Sequence, residues 1–371
     1  MRQIYNSLLK FNILRYIISL FIILCIISYL AHEYVKKRVL EITRYSQQSQ
    51  IDTLISLNFG GIEQWILLRG ENDSAPIMLI LHGGPGALLF PSARNYGKNT
   101  GIDRIFVTVY WEQPGTGKSY QFNVPDTALS INRLVEYAHD VTKYLLNTYN
   151  KAQIYLMGRS FGSLIGMLLI QKYPQDFFAF ISISQFVNTY KNDSISYDIA
   201  IKWAQNTQNE KAIEELKSVG PPPYNPEELL VQRKWVTFLH DSKLKIKRPD
   251  YMTELLSTPE YTLFDIFLIG FDPLYSLRAL WTSDIYSIDL YDLVPSVKVP
   301  VYFIVGQHDI ISSPILIQSY FKKLEAPAGK QLYIFDSSGH EPDISEPQAF
   351  VRIITHDVIK NHKSIQSKLV Q

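Results

Sequence analysis

Residues 154–173 read IYLMGRSFGSLIGMLLIQKY, and the turn at their centre decides the fold. Residues 154–157 are a short apolar strand, residues 163–173 are an apolar helix closed by Pro174, and Gly158-Arg159-Ser160-Phe161-Gly162 joins them. A serine in so tight a strand-to-helix turn takes strained backbone angles, and the flanking glycines leave room for close approach. Its hydroxyl then stands above a sheet, and the helix N-terminus supplies positive potential where an oxyanion would form. G-x-S-x-G is common by chance, so the strand and helix around it carry the weight. A structural serine in a glycine-rich turn is the bland alternative.

Outward from this turn the chain alternates strand-like and helix-like segments, the pattern of an α/β fold. Runs 77–81 (IMLIL), 105–110 (IFVTVY) and 301–305 (VYFIV) are apolar throughout, as central parallel strands are. Residues 178–184 and 331–335 add two more strands, and 51–57 with 64–68 make an opening hairpin around Phe59-Gly60-Gly61. Helices are expected at 131–149, 315–324 and 347–360. Between 186 and 290 the alternation stops. Helix-like stretches, the loop Gly220-Pro221-Pro222-Pro223 and aromatics such as Trp203, Trp235 and Trp281 suggest a helical cap inserted into the sheet domain. The expected division is therefore core 51–185, cap 186–290 and core 291–371.

Residues 16–31 (YIISLFIILCIISYLA) carry no charge, and extension back to Phe11 gives the length of a membrane helix. Arg2, Lys10 and Arg15 precede it. A cleaved signal peptide is the alternative, but only Tyr29 and Ala31 stand where small residues should mark cleavage. An uncleaved single-pass anchor over 1–31 is expected, followed by a charged, then Gln/Ser-rich linker at 32–50. Lys36, Lys37, Arg38 and Arg44 nearly balance the basic residues ahead of the span. A cytoplasmic N-terminus with an extracytoplasmic enzyme is the orientation favoured.

The formal net charge is +1, which points to neither nucleic acid nor a polyanionic partner. The single cysteine, Cys25, lies in the apolar segment. That excludes an intramolecular disulfide framework, a cysteine-based metal site and thiol catalysis in the body of the chain. The expected partner is a small molecule or short peptide.

The base for Ser160 should follow the last strand, where Ser338-Gly339-His340 stands. His139 falls in a helix, His308 is in the wrong loop, and His82 opens a glycine loop that it is expected to brace. The acid that orients the base is expected at Asp309, directly after strand 301–305. Asp336 and Asp343 compete because they lie nearer His340 in sequence. His82-Gly83-Gly84-Pro85-Gly86 follows the strand that delivers a second oxyanion donor. The N–H groups of Phe161 and Gly84 are the expected pair, with Gly83 the fallback.

These segments resemble the proline iminopeptidase group of α/β-hydrolases. HGGPG at 82–86 is characteristic of that group. Trp111-Glu112-Gln113-Pro114-Gly115-Thr116-Gly117-Lys118-Ser119 looks like its D-Q-R-G-x-G-x-S loop, and GRSFG stands at its serine elbow. The resemblance spans about 50 to 360 and implies a helical cap over a Ser160–Asp309–His340 triad, with no metal or organic cofactor. Departures are visible: Glu112 and Pro114 replace Asp and Arg, Phe161 replaces Trp, and Arg159 sits beside the serine. In the family, cap glutamates bind the substrate amine. Residues 235–240 (WVTFLH) lack that acid, leaving Glu214, Glu215, Glu227 and Glu228 as substitutes or as a solvated helix face. The activities implied are small-amide or peptide hydrolysis and, on the same machinery, ester or lipid hydrolysis. A catalytically silent binding module is the reading from another class.

Overall fold

The computed structural model describes residues 2–45, 50–122, 124–248 and 250–360. Eight strands form one sheet: β1 (Ile51–Phe59), β2 (Ile62–Gly70), β3 (Ile77–Leu81), β4 (Val107–Glu112), β5 (Ile154–Arg159), β6 (Phe177–Ile183), β7 (Val301–Gly306) and β8 (Lys330–Phe335). Their order is β1-β2-β4-β3-β5-β6-β7-β8. β1 pairs antiparallel with β2, and β2 with β4; every other pair is parallel. The sheet is thus mostly parallel, as its unbroken apolar runs require. β3 and β7 are buried at every residue. β4 starts two residues later than its apolar run, because Ile105 closes a 3-10 turn over Ile102–Arg104.

Fourteen α-helices are described: α1 (Arg2–Thr43), α2 (Phe90–Thr100), α3 (Ile131–Thr148), α4 (Phe161–Lys172), α5 (Thr189–Asn206), α6 (Glu210–Val219), α7 (Pro226–Leu244), α8 (Tyr251–Ser257), α9 (Leu263–Phe271), α10 (Tyr275–Leu280), α11 (Leu290–Leu293), α12 (Pro314–Lys323), α13 (Pro342–Ser345) and α14 (Pro347–Ile353). α3 shows how the sequence sets them. Ser130 caps it by accepting the Arg133 N–H at 3.2 Å, worth about 1 kcal/mol. Leu134, Ala138, Val141 and Leu145 then bury one face against the sheet. α5 to α11 lie between β6 and β7. An isolated bridge, Asn188 to Asp289, closes the base of this insert, and Asn188 Nδ2 donates to Asp289 Oδ2 at 2.7 Å.

The N-terminal segment departs from expectation. α1 runs unbroken through Thr43, so residues 32–43 continue the helix instead of forming a linker. The Gln/Ser-rich stretch at 46–49 lies outside the described residues. Tertiary contacts hold the extension. His32 is buried with Nδ1 3.1 Å from the Leu256 carbonyl and Nε2 3.1 Å from that of Tyr261. Both partners are acceptors, so a neutral ring satisfies one of them and the imidazolium both. At the far end Arg69 Nη2 donates to the Thr43 carbonyl at 3.0 Å, and Arg94 Nη1 to Thr43 Oγ1 at 3.2 Å. Cations at a helix C-terminus complement its dipole. Within α1, the helix Lys10–Thr43 is long enough to cross a membrane and contains an 18-residue stretch with a mean hydropathy of 2.4; a signal sequence meets the same criterion.

Candidate active site

The residues singled out in the sequence gather at the C-terminal ends of the parallel strands, where ligands bind in open α/β sheets. Ser160 follows β5 and holds φ 49° and ψ −121°, a left-handed conformation that costs a non-glycine residue of order 1–3 kcal/mol. The turn is locked from both sides. The Ser160 N–H donates to the Ile183 carbonyl at 2.9 Å, and its own carbonyl accepts from the Ser163 N–H at 2.8 Å. A Cβ on Gly162 would collide with the carbonyls of Leu81 and His82, so this glycine is demanded by strand-to-helix contact. Phe161 opens α4, and its N–H belongs to the first turn, which has no intrahelical acceptor.

His340 and Asp309 come together. His340 Nδ1 lies 2.8 Å from Asp309 Oδ2, and the carboxylate is fully buried. Asp309 Oδ1 accepts the N–H groups of Ile311 and Ser312, both at 2.8 Å. Burial alone would raise the Asp309 pKa; the adjoining His340 and the backbone donors outweigh it and hold the carboxyl below its usual range. Burial likewise opposes the charged imidazole, yet Asp309 lifts His340 above its ordinary value. The serine–imidazole bond is not formed. Among the described residues the Ser160 hydroxyl has no hydrogen-bond partner, although Ser160 and His340 line one cavity. Such bonds are often long in resting enzymes and tighten when substrate binds.

His82 braces the glycine loop. Its Nε2 accepts the Gln113 N–H at 3.1 Å, which leaves the proton on Nδ1, 2.8 Å from the Gly83 carbonyl. Burial pushes its pKa down to about 4, so the brace is neutral. Gly83 and Gly84 both line the cavity. Gly84 has φ 115°, whereas a Cβ on Gly83 would stand 3.2 Å from that of Ser160, making Gly83 the point of closest approach. Glu112, in place of the family aspartate, is wholly buried. It accepts the N–H groups of Leu89 and Phe90 at 3.2 Å and of Lys118 at 2.7 Å, and the Tyr261 hydroxyl; burial pushes its pKa up to about 7.

Several supports are invisible in the sequence. His240 of α7 accepts the His340 N–H at 3.0 Å, and a Cβ on Gly339 would run into that ring. Ser184 Oγ donates to the His340 carbonyl at 2.8 Å. Asp343, a competitor for the acid, instead pairs with Arg159, whose guanidinium also stacks 4.3 Å from the Tyr96 ring centroid. Asp336 is exposed. His139 bonds Asp176 at 3.0 Å and stacks on Tyr173, away from the cavity lining.

The cavity has a volume of about 440 Å³, and Leu277 and Trp281 of the insert line it together with Ser160. Its charged lining residues are Arg159, Arg233 and Glu341. Glu214, Glu215, Glu227 and Glu228 are not among the lining residues: Glu215 binds Lys234 and Trp235, and Glu228 closes the capping box of α7. Among the described residues, no group of three or more His, Cys, Asp or Glu side chains gathers as metal ligands would.

A strand-ended serine turn, a buried Asp–His pair and a glycine loop around one cavity define the α/β-hydrolase class. The family model for the alpha/beta hydrolase fold matches residues 76–347, and the chain belongs to that family. The probable aminopeptidase YbaC of Bacillus subtilis (strain 168) is 29% identical over 319 residues, covering 83% of this chain and 97% of the relative. Among solved structures, a proline iminopeptidase-related protein from Thermus thermophilus superposes with a TM-score of 0.57 at 19% identity, over 82% of this chain and 96% of that one. A membrane phospholipase A, described as a bacterial virulence factor, has a TM-score of 0.57 at 16% identity and covers 94% of this chain and 99% of its own. The chain is thus an α/β hydrolase with aminopeptidase- and proline iminopeptidase-like relatives.

Proposed function

We propose that the protein is a serine hydrolase working through an acyl-enzyme. Ser160 is the nucleophile, His340 takes its proton, and Asp309 fixes the imidazole tautomer and stabilises the imidazolium. The N–H groups of Phe161 and Gly84 receive the oxyanion, with Gly83 beside them; each donor contributes about 3 kcal/mol to lowering the barrier. Water then attacks the acyl-enzyme with His340 again as base. The observation that carries this reading is the 2.8 Å His340–Asp309 bond on the cavity that holds the strained Ser160 turn. The test is covalent labelling by a fluorophosphonate. Labelling of the native chain and none of Ser160→Ala is expected; an unlabelled native chain would leave a silent binding module.

The substrate is a small amide or ester. A peptide with a free amino end is supported by the name of the Bacillus subtilis relative. A lipophilic ester is supported by the cavity itself, whose lining includes Leu88, Leu229, Leu230, Leu277, Trp281 and Ile344 and no insert glutamate. Parallel assays with a proline arylamide and short-chain aryl esters separate the two. In this reading residues 186–290 act as the cap over cores 51–185 and 291–371. Residues 11–31 span a membrane with the catalytic domain outside the cytoplasm, which a reporter fused after Gln371 tests.

A further inference from the structure

Phe264, Phe267 and Phe271 of α9 are exposed at 64%, 61% and 65%, although each is a large apolar side chain. Their i, i+3, i+7 spacing sets them on one face of the helix, opposite the buried Ile269. Tyr251, Met252 and Leu256 of the preceding α8 are exposed as well. α8 lies against α9, so neighbouring helices both expose large apolar side chains, and such a concentration marks a contact surface.

What covers it follows from where α1 ends. The apolar run of α1 stops at Ala31, and the next residue, His32, is fixed to the carbonyls of Leu256 and Tyr261 between α8 and α9. The point at which α1 leaves the hydrocarbon is therefore the junction of the two exposed helices. The buried contacts of Thr43 with Arg69 and Arg94 hold the other end of that extension, so the face keeps its height relative to the span. Charge agrees. Lys243, Lys245 and Lys247 are exposed just before α8. The acids of α9 are engaged, Asp265 with Lys118 at 2.6 Å and Asp272 with Arg278; on α8, Asp250 caps the helix and Glu254 is half-buried. An apolar aromatic face bordered by exposed lysines is the pattern of a surface that enters the interface of an anionic bilayer.

We propose that α8 and α9 dock into the lipid interface beside α1, seating the domain on the membrane through two elements. This rests on residues 11–31 being a membrane span. It places the cavity close to the bilayer, because Arg248, two residues before the α8 cap Asp250, donates to the cavity-lining Glu341 at 3.4 Å.

The test uses the full chain in vesicles of phosphatidylcholine with a minor share of phosphatidylglycerol. In a Cys25→Ala background, nitroxide labels are placed singly at Ile22→Cys, Phe267→Cys and Asn147→Cys, the last on exposed α3 surface. Collision with oxygen is compared with collision with a nickel chelate. Labels at 22 and 267 should favour oxygen, with 267 the shallower, and 147 should behave as in water. Adding Phe264→Ser and Phe271→Ser should lower the oxygen-to-nickel ratio at 267 about tenfold, the scale of losing buried aromatic area. A lipid-embedded 22 with a water-exposed 267 overturns the docking face and leaves the span intact. A water-exposed 22 overturns both. Shielding of 267 from both reagents means a protein covers the face, and also overturns the proposal.

Discussion

The floor and the roof of the cavity are built by different means. The floor is backbone: a strained serine turn, a glycine loop and a loop after β8, each issuing from the end of a parallel strand. The roof is side chain: Arg233, Leu277 and Trp281 from the insert line the cavity, and His240 of α7 holds the His340 N–H from a hundred residues away. Floors of this type are fixed by local geometry and tolerate little change, whereas roofs can be re-cut to suit a substrate.

The contrast can be broken first at the floor. Ser160→Ala should lower kcat on any substrate about a million-fold, the scale seen when a nucleophile is removed from a triad. Comparable activity in the variant would place the chemistry elsewhere. Asp309→Asn should cost about ten-thousand-fold, by misorienting the imidazole. It should also move the acid limb of the pH–rate profile. Asp309 raises the His340 pKa, so activity falls as pH drops through a value above the ordinary 6.5, and the variant's limb should shift downward. The same coupling affects stability. The raised imidazole contributes stability below its ordinary pKa that is lost as pH rises through the raised one. The depressed carboxyl contributes stability above its ordinary pKa that is lost as pH falls through the lowered one.

At the join between floor and outer wall, Arg159→Met leaves the fully buried Asp343 without its cation. Thermal unfolding should report a loss of about 3–5 kcal/mol, and the double variant Arg159→Met, Asp343→Leu should recover much of it. A single variant as stable as the native chain would remove the structural role of the pair. In the roof, His240→Ala leaves the His340 N–H without its acceptor, at a cost of about 1–3 kcal/mol. Its kcat should fall far less than that of Asp309→Asn. An equal fall would erase the distinction between the two regions.

The same contrast explains what can be read from the sequence. Parallel strands buried on both faces are written as apolar runs, and β3, β5 and β7 are legible for that reason. The serine turn and glycine loop are contiguous motifs whose spacing carries their geometry. The Arg159–Asp343 and His240–His340 pairs join positions 184 and 100 residues apart, which no local pattern encodes. α2 has no such signature, since FPSARNYGKNT is rich in turn formers; it is helical because Arg94 is buried among Glu260, Asp52 and Thr43. Residues 32–43 read as a solvated linker for a related reason: their helix depends on His32 and Thr43 finding partners in the distant body of the chain.

That grip on both ends of residues 32–43 makes α1 a stem and not a leash. A leashed enzyme tumbles and samples every angle above its point of attachment. With residues 11–31 in a membrane, as proposed, a stemmed enzyme would present a single aspect, and its encounters would become a planar search with the opening always pointed the same way. Two glycines inserted between Ala31 and His32, ahead of both contacts, would restore the swivel while leaving every group around Ser160 in place.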